Sequence, residues 1–479
     1  MVLQVPAPAP LSSAIQRWIV PASLIALCGG ILVASFLKSD WANNDFERFD
    51  DLRLLFLFFV LFVGLCWAYV TAYLQRQAVS RRALVATCVA SAALLLVSFP
   101  VGSKDVFFYA FYGKVWGLYH ANPYVATLAD FPSDRWQPFV QSQWRDKPAI
   151  YGPLFLWQSW LVNAVAHEHL WLAVWLYKVW ATLTLFVTLW VADAILHRTT
   201  SVTGVSASFG LLLLAWNPLF LFESAGSGHN EIGMLLLLLA ALWCWRDGRF
   251  NVAFVVLVLS VWYKWYSIIF VPAFLIATLK DSGFRAAVRH GALCGAVTAI
   301  FGLVLLWPFP GSLLPAIDTL LHSGALRRIY PAELSPPLAA LFWSLRASGL
   351  LNTDLGFHLF YAARIVLFGG TMVAIFIRQW RAATSLTALT ESCCLVAAAF
   401  FLLLVTILPP WHLLLVVALA VISGREFFVL SAVVLTVLGL LSYFLTFAVA
   451  TLMLGLILGA LWLLRHSQTV MARAVNGGG

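Results

Sequence analysis

Apolar blocks and short polar gaps alternate along nearly the whole chain, and the long blocks approach the ~20 residues that carry a helix across a bilayer. The first predicted crossings lie near Trp18–Leu37, Leu54–Tyr73 and Ala83–Val101. Later ones lie near Trp171–Leu196, Val205–Phe222, Ile232–Trp245, Phe250–Tyr263, Ser267–Thr278, Ala292–Trp307 and Gly356–Ile377. Cys393–Leu408, His412–Ile422, Phe427–Phe447 and Thr451–Leu464 complete the set. This pattern predicts an all-α polytopic membrane protein of about fourteen transmembrane helices, with backbone polar groups satisfied inside each helix.

One block breaks the rhythm. Leu154–Ala166 is apolar but short, and Gln158, Ser159 and Asn163 interrupt it. As a crossing it would invert every later loop and put the basic clusters on the wrong side. As an amphipathic helix lying in the outer interface, it leaves His197-Arg198, Arg246 to Arg249, Lys280 to Arg289, Arg378 to Arg381, Arg425 and Arg465 all cytoplasmic. Arg76, Arg81 and Arg82 fall on the same side. The outer loops are then Ser103–Leu170, Glu223–Glu231, Lys264–Tyr266, Pro308–Leu355 and Leu408–Trp411, together with the acid-rich Lys38–Arg53. The predicted organisation is an N-terminal helix pair over 1–82 and a core over 83–308 with its outer loop at 103–170. A C-terminal helical part follows over 309–465 with an outer loop at 308–355, then a cytoplasmic tail over 466–479.

Composition agrees with the pattern: 62% of the 479 residues are hydrophobic and 10% charged, against roughly 25% charged in soluble domains. The net charge of +9 comes from basic residues scattered between crossings, so it signals membrane orientation and not nucleic acid. The seven cysteines sit singly or adjacent in apolar blocks with no CxxC spacing, which reads as small buried hydrophobes. Leu11 to Trp18 holds one arginine and leads into an apolar run too long for a signal-peptide core, so no cleaved leader is expected. No GxxxxGK[ST] or GxGxxG occurs, which argues against nucleotide-driven work by this chain.

Ionisable residues beside or inside apolar blocks are costly and default to functional hypotheses. Asp105 follows the third crossing among aromatics, in Lys104-Asp105-Val106-Phe107-Phe108-Tyr109. A carboxylate there suits a general base, or a helix cap for the run Val106–Val115. Gly226-Ser227-Gly228-His229-Asn230-Glu231 joins two crossings at the outer face, with Glu223 one turn earlier. His229, Asn230 and Glu231 offer the donors and acceptors that a sugar requires, or a capped helix–helix turn. Lone Lys264, in Trp262-Tyr263-Lys264-Trp265-Tyr266, suits a phosphate or a snorkelling position. Arg327-Arg328 suits a phosphate fork or a lipid headgroup. Trp411-His412, after two prolines, reads as an aromatic anchor, with His412 facing the same outer loops. Asp193 inside a crossing reads as helix packing, and the acids from Asp45 to Asp51 as a solvated loop. One acid, a His/Asn/Glu turn and three cations on one face suit an anionic lipid with a polar headgroup.

The order of these segments resembles the GT-C glycosyltransferases, closest to the bacterial polyprenyl-phosphomannose-dependent α-1,6-mannosyltransferases. The resemblance rests on Asp105-Val106-x-x-Tyr109, Gly113, Asn122-Pro123-Tyr124 and Tyr151-Gly152-Pro153-Leu154. It continues through Asn217-Pro218, Gly228-His229-Asn230-Glu231, Lys264 and Pro410-Trp411, covering Ser103 to Leu414. The family usually has Asp where this chain has Glu231. The resemblance implies a hexosyltransferase, with mannose as the sugar and a polyprenyl monophosphate as its carrier. It would act on a glycan or glycolipid acceptor at the outer, periplasmic face of the inner membrane. It implies Asp105 as base and Lys264 at the donor phosphate. The residue types then suit Arg327 and Arg328 to the same phosphate, and Tyr109, Tyr124, Tyr151, His229, Asn230, Glu231 and His412 to sugar or acceptor. The resemblance also implies that the first two crossings precede the core. No DxD metal motif is present, so no metal or other cofactor is called for, and a divalent ion stays open. A transporter or flippase for polyprenyl-phosphate lipids is the alternative, against which stands the absence of an inverted repeat.

Overall fold

The computed structural model of the protein describes residues 13–38, 51–141, 144–199, 205–322, 336–405 and 408–445. Among them every regular element is a helix. Three begin the chain: α1 (Ser13–Leu37), α2 (Leu52–Leu74) and α3 (Arg81–Val97). Asp51 caps α2 by accepting from the backbone N–H of Arg53 at 2.9 Å, and Ser80 caps α3 through Ala83 at 3.2 Å. The last acid of the predicted solvated loop is thus a helix cap, the role short acceptors play at an N-terminus. Asp40 to Asp50 lie outside the described residues.

Next come α4 (Asp105–Gly117), α5 (Pro153–Ala166), α6 (Leu170–Thr199), α7 (Ala207–Ala215) and α8 (Pro218–Leu221). The α4 helix is buried from Val106 through Val115 and lies against α5 and α6. Gly113 is what lets α4 and α5 touch, since a side chain there would strike the Ser159 carbonyl. The α7–α8 pair bends by 45° at Asn217-Pro218. Asn217 caps α8 through Leu219 and Phe220, and its amide donates to Tyr69 at 3.0 Å and Thr436 at 2.8 Å. Directly after α8 the chain widens into a π turn, Phe222–Gly226.

The hairpin α9 (Glu231–Arg246) and α10 (Phe250–Tyr263) follows, then a 3₁₀ stretch Trp265–Phe270, α11 (Val271–Ser282) and α12 (Phe284–Leu305). The remainder comprises α13 (Leu313–His322), α14 (Pro336–Ala347), α15 (Asp354–Arg381), α16 (Leu386–Ala399), α17 (Leu413–Ser423) and α18 (Glu426–Leu441). Among the described residues six helices are long and apolar enough to span a bilayer, or seven counting the bent pair. The sequence tally of about fourteen therefore draws on α3 and on helices such as α9, α10, α17 and α18, which have 11 to 17 residues. It also draws on Thr451–Leu464, outside the described residues. All seven cysteines are free thiols.

The long segment over 103–170 is ordered by a buried ion pair. Lys114 meets Asp134 at 2.7 Å and sits over the Trp136 ring at 4.4 Å. Tyr119 also donates to Asp134, and the Trp136 N–H closes the turn on the same carboxylate at 2.7 Å. Two buried charges hold a loop only when paired and hydrogen-bonded, as here. Asp193, read as plain helix packing, accepts from Arg81 at 2.6 Å and faces His197 at 3.8 Å.

Candidate active site

Asp105 opens α4. Lys104 occupies the cap position, and the Ser103 hydroxyl accepts from the Asp105 N–H at 3.2 Å. The carboxylate therefore stands in the first turn, where the positive end of the helix dipole supports it. Its side chain is 24% exposed, whereas those of the nearby His229 and Glu223 are fully buried. Asp105 is thus the acid of this group that a substrate can reach.

A line of side chains stands behind it. The Tyr109 hydroxyl, one turn along α4, lies 3.4 Å from Asp105 and 3.4 Å from His229 Nδ1. His229 Nδ1 is itself 3.9 Å from the Asp105 carboxylate, and its Nε2 is 3.4 Å from Glu223. The other Glu223 oxygen accepts from Tyr443 at 2.9 Å. Burial, and then the Lys264 ammonium, hold His229 well below the usual imidazole range, so it is neutral at pH 7. The π turn makes this line possible. Ser227 donates to the Phe222 carbonyl at 2.8 Å and His229 to that of Glu223 at 2.9 Å, which folds the turn back so that both side chains meet. Gly228 takes φ +73° there, a conformation that costs glycine little.

The second group centres on Lys264, at the break between α10 and the 3₁₀ stretch. Its ammonium donates to Asn230 Oδ1 at 2.9 Å and pairs with Glu231. His412 Nε2 approaches the same Glu231 oxygen at 3.5 Å. The Tyr151 and Tyr266 rings flank the ammonium at 5.5 and 5.6 Å. Gly152 brings the Tyr151 turn against the Trp262 carbonyl, a contact that leaves no room for a side chain. Trp411 stacks on His229 with centroids 4.0 Å apart and planes 16° apart, a role that the anchor reading of Trp411 did not contain. Several buried polar atoms in this region have no hydrogen-bond partner: Ser224 Oγ, Ser227 Oγ, Asn230 Nδ2, Glu231 Oε2, Tyr266 OH and His412 Nδ1. Such groups are rare and costly in native interiors, and their clustering marks a place built for something polar.

The structure brings together Asp105, Tyr109, Tyr151, His229, Asn230, Glu231, Lys264 and His412. Tyr124 stands behind them, its hydroxyl committed to the Tyr151 carbonyl at 3.0 Å. Arg327 and Arg328 lie outside the described residues. Sequence reasoning passed over Tyr443, Tyr266 and Lys178. Lys178, fully buried in α6, donates to the carbonyls of Leu95 and Ser98 and its stem lies against Gly228. It ties the end of α3 to the His229 turn. The rule that singled out Lys264, a lone charge in an apolar block, applies equally to it.

The chain matches the family described as Alpha-(1->6)-mannopyranosyltransferase, N-terminal domain, over residues 20–280, more than half its length, taking in α2 and most of α1. It is 30% identical over 159 residues to an alpha-(1->6)-mannopyranosyltransferase of Mycobacterium tuberculosis, covering 31% of this chain and 24% of that one. It is 28% identical over 154 residues to alpha-(1->6)-mannopyranosyltransferase A of Corynebacterium glutamicum, covering 30% of each. A Mycolicibacterium smegmatis protein named as a probable enzyme of the same kind is 29% identical over 181 residues, 37% of this chain and 32% of that one. The aligned stretch thus spans a third or less of the curated relatives' length. Asp105, Tyr109, Tyr151, the 226–231 turn and Lys264 all fall within the matched segment, and this helical membrane protein belongs to the alpha-(1->6)-mannopyranosyltransferase family.

Proposed function

We propose that the protein transfers a mannosyl residue from a polyprenyl monophosphate to a glycan or glycolipid acceptor, at the outer face of the inner membrane. The acceptor hydroxyl gives its proton to Asp105 while its oxygen attacks the anomeric carbon. The bond from that carbon to the phosphate oxygen breaks, and polyprenyl phosphate leaves from the opposite face. One displacement inverts the configuration, so a β-linked donor yields an α-glycoside. Tyr109 and His229, backed by Glu223, aim the carboxylate; this is the logic of a base oriented by a third group. Lys264 spends two of its three N–H donors on Asn230 and Glu231, and the third is open to a donor phosphate. Arg327 and Arg328 would add charge on the leaving group. The interfacial position of α5 and the outward orientation of the site belong to the same reading.

The observation that carries the proposal is the pairing of one reachable carboxylate with a buried Lys264 cluster of unsatisfied polar atoms, inside a segment matched by a mannosyltransferase family. The test is incubation of the purified protein, beside Asp105→Asn, with short-chain polyprenyl-phosphomannose and a panel of acceptors. Free polyprenyl phosphate and a new glycoside, absent in the variant, are expected. Turnover retained by the variant removes Asp105 from the role of base.

A further inference from the structure

The α9–α10 hairpin has two ends. One carries Glu231 and Tyr263, next to Lys264. The other lies one helix length away, about 24 Å for the sixteen residues of α9. At that far end an open pocket of about 320 Å3 is lined by Gly248, Arg249, Asn251 and the first turn of α10 on one side, and by Arg289 and His290 of α12 on the other. Neither side belongs to the site around Asp105.

Three observations converge there. First, α10 starts without any side-chain cap, so the backbone N–H groups of its first turn point out of the helix end, the arrangement that holds anions. Second, two arginines line the pocket from different elements, Arg249 at the start of α10 and Arg289 in α12; arginine forks match the geometry of phosphate. Third, His290 is 1% exposed and stacks on Phe254. Its Nδ1 is committed to the Ala286 carbonyl at 2.8 Å, while its Nε2 has no partner. Nδ1 donates to that carbonyl, so in the neutral ring Nε2 is the acceptor. A pocket with cationic donors and one buried acceptor suits a phosphate monoester, which offers both oxygens and a P–OH. A phosphodiester lacks the P–OH. The nearby acid Asp247 is directed at Arg246, 3.4 Å away.

We propose that this pocket is a phosphate-monoester site, separate from the proposed transferase centre and independent of what that centre does. The phosphate can come from the headgroup of a phosphatidic-acid-type lipid or from the aqueous phase. The test uses the full-length protein in detergent and in nanodiscs, with Arg249→Gln/Arg289→Gln as the pocket variant; both side chains are exposed, so the variant is expected to fold. Thermal unfolding is followed with inorganic phosphate against chloride at equal ionic strength, and with phosphatidic acid against phosphatidylglycerol and phosphatidylcholine. The site predicts stabilisation by a monoester, with the affinity falling about tenfold or more in the variant. Stabilisation by inorganic phosphate assigns an aqueous ligand; stabilisation by phosphatidic acid alone assigns a lipid one. Equal shifts with chloride and phosphatidylcholine, equal shifts in wild type and variant, or no preference for phosphatidic acid or inorganic phosphate over phosphatidylglycerol, would overturn the assignment. His290→Gln is the second variant, and should lose the preference for monoester over phosphatidylglycerol while keeping the charge effect.

Discussion

Helices α6 and α12 are written in nearly the same alphabet, yet the molecule uses them differently. In the most apolar stretch of α6, 56% of residues are buried inside the protein; in that of α12, 11% are. The α6 helix threads the middle of the bundle with Tyr177, Leu185 and Ile195 enclosed. The α12 helix turns Val288, Ile300, Leu303 and Val304 outward, the surface expected where a helix meets lipid instead of protein. What separates them is polar content. The α6 helix encloses Lys178, Thr182, Thr188 and Asp193, each with a partner, whereas α12 beyond His290 has a single hydroxyl, Thr298. Apolar length marks a membrane helix; the polar residues within it mark the ones that face protein.

That contrast can be pressed at points of decreasing consequence. The largest effect is expected beside α6, where Asp105→Asn should lower turnover by roughly 10²–10⁴-fold without moving the unfolding temperature. Glu223→Gln keeps the size of the side chain that backs His229 but replaces its carboxyl group with an amide. It should cost on the order of 10²-fold at most, in kcat more than in KM, which steady-state kinetics with varied donor would separate. Leu185→Ala, in the enclosed part of α6, should destabilise by about 2–5 kcal/mol. Leu303→Ala, on the open face of α12, should stay within about 0.5 kcal/mol. Unfolding of the last two variants in the same detergent checks the pair directly. Similar losses at both positions would mean that α12 is covered by protein in the assembled state.

Much of the architecture was legible because it depends on local pattern. The crossings over Trp18–Leu37 and near Leu54–Tyr73 match α1 and α2 closely. The short block over Leu154–Ala166 is a separate helix, α5. The 226–231 turn was picked out because glycines and polar residues interrupt apolar blocks, a signal carried within six positions. Tyr443 was not, since it lies 220 residues from the Glu223 it holds, and nothing in its own neighbourhood of apolar residues sets it apart. The stacking of Trp411 on His229 is hidden in the same way. Lys264 was singled out as a lone charge in an apolar block, but a lysine's partners are not encoded beside it, and in the folded chain Glu231 and Asn230 share it.

The wide turn at Phe222–Gly226 adds one position to what would otherwise be a regular helix end. Removing a single residue there would leave the hydrophobic pattern readable and the helix free to continue. Each residue on one side would nonetheless swing by about 100° around the axis, carrying Glu223 out of line with His229. The site is therefore defined by a count as well as by an inventory. Two chains with identical residue types but differing in length by one at this point would share a fold and a composition without sharing the arrangement behind Asp105.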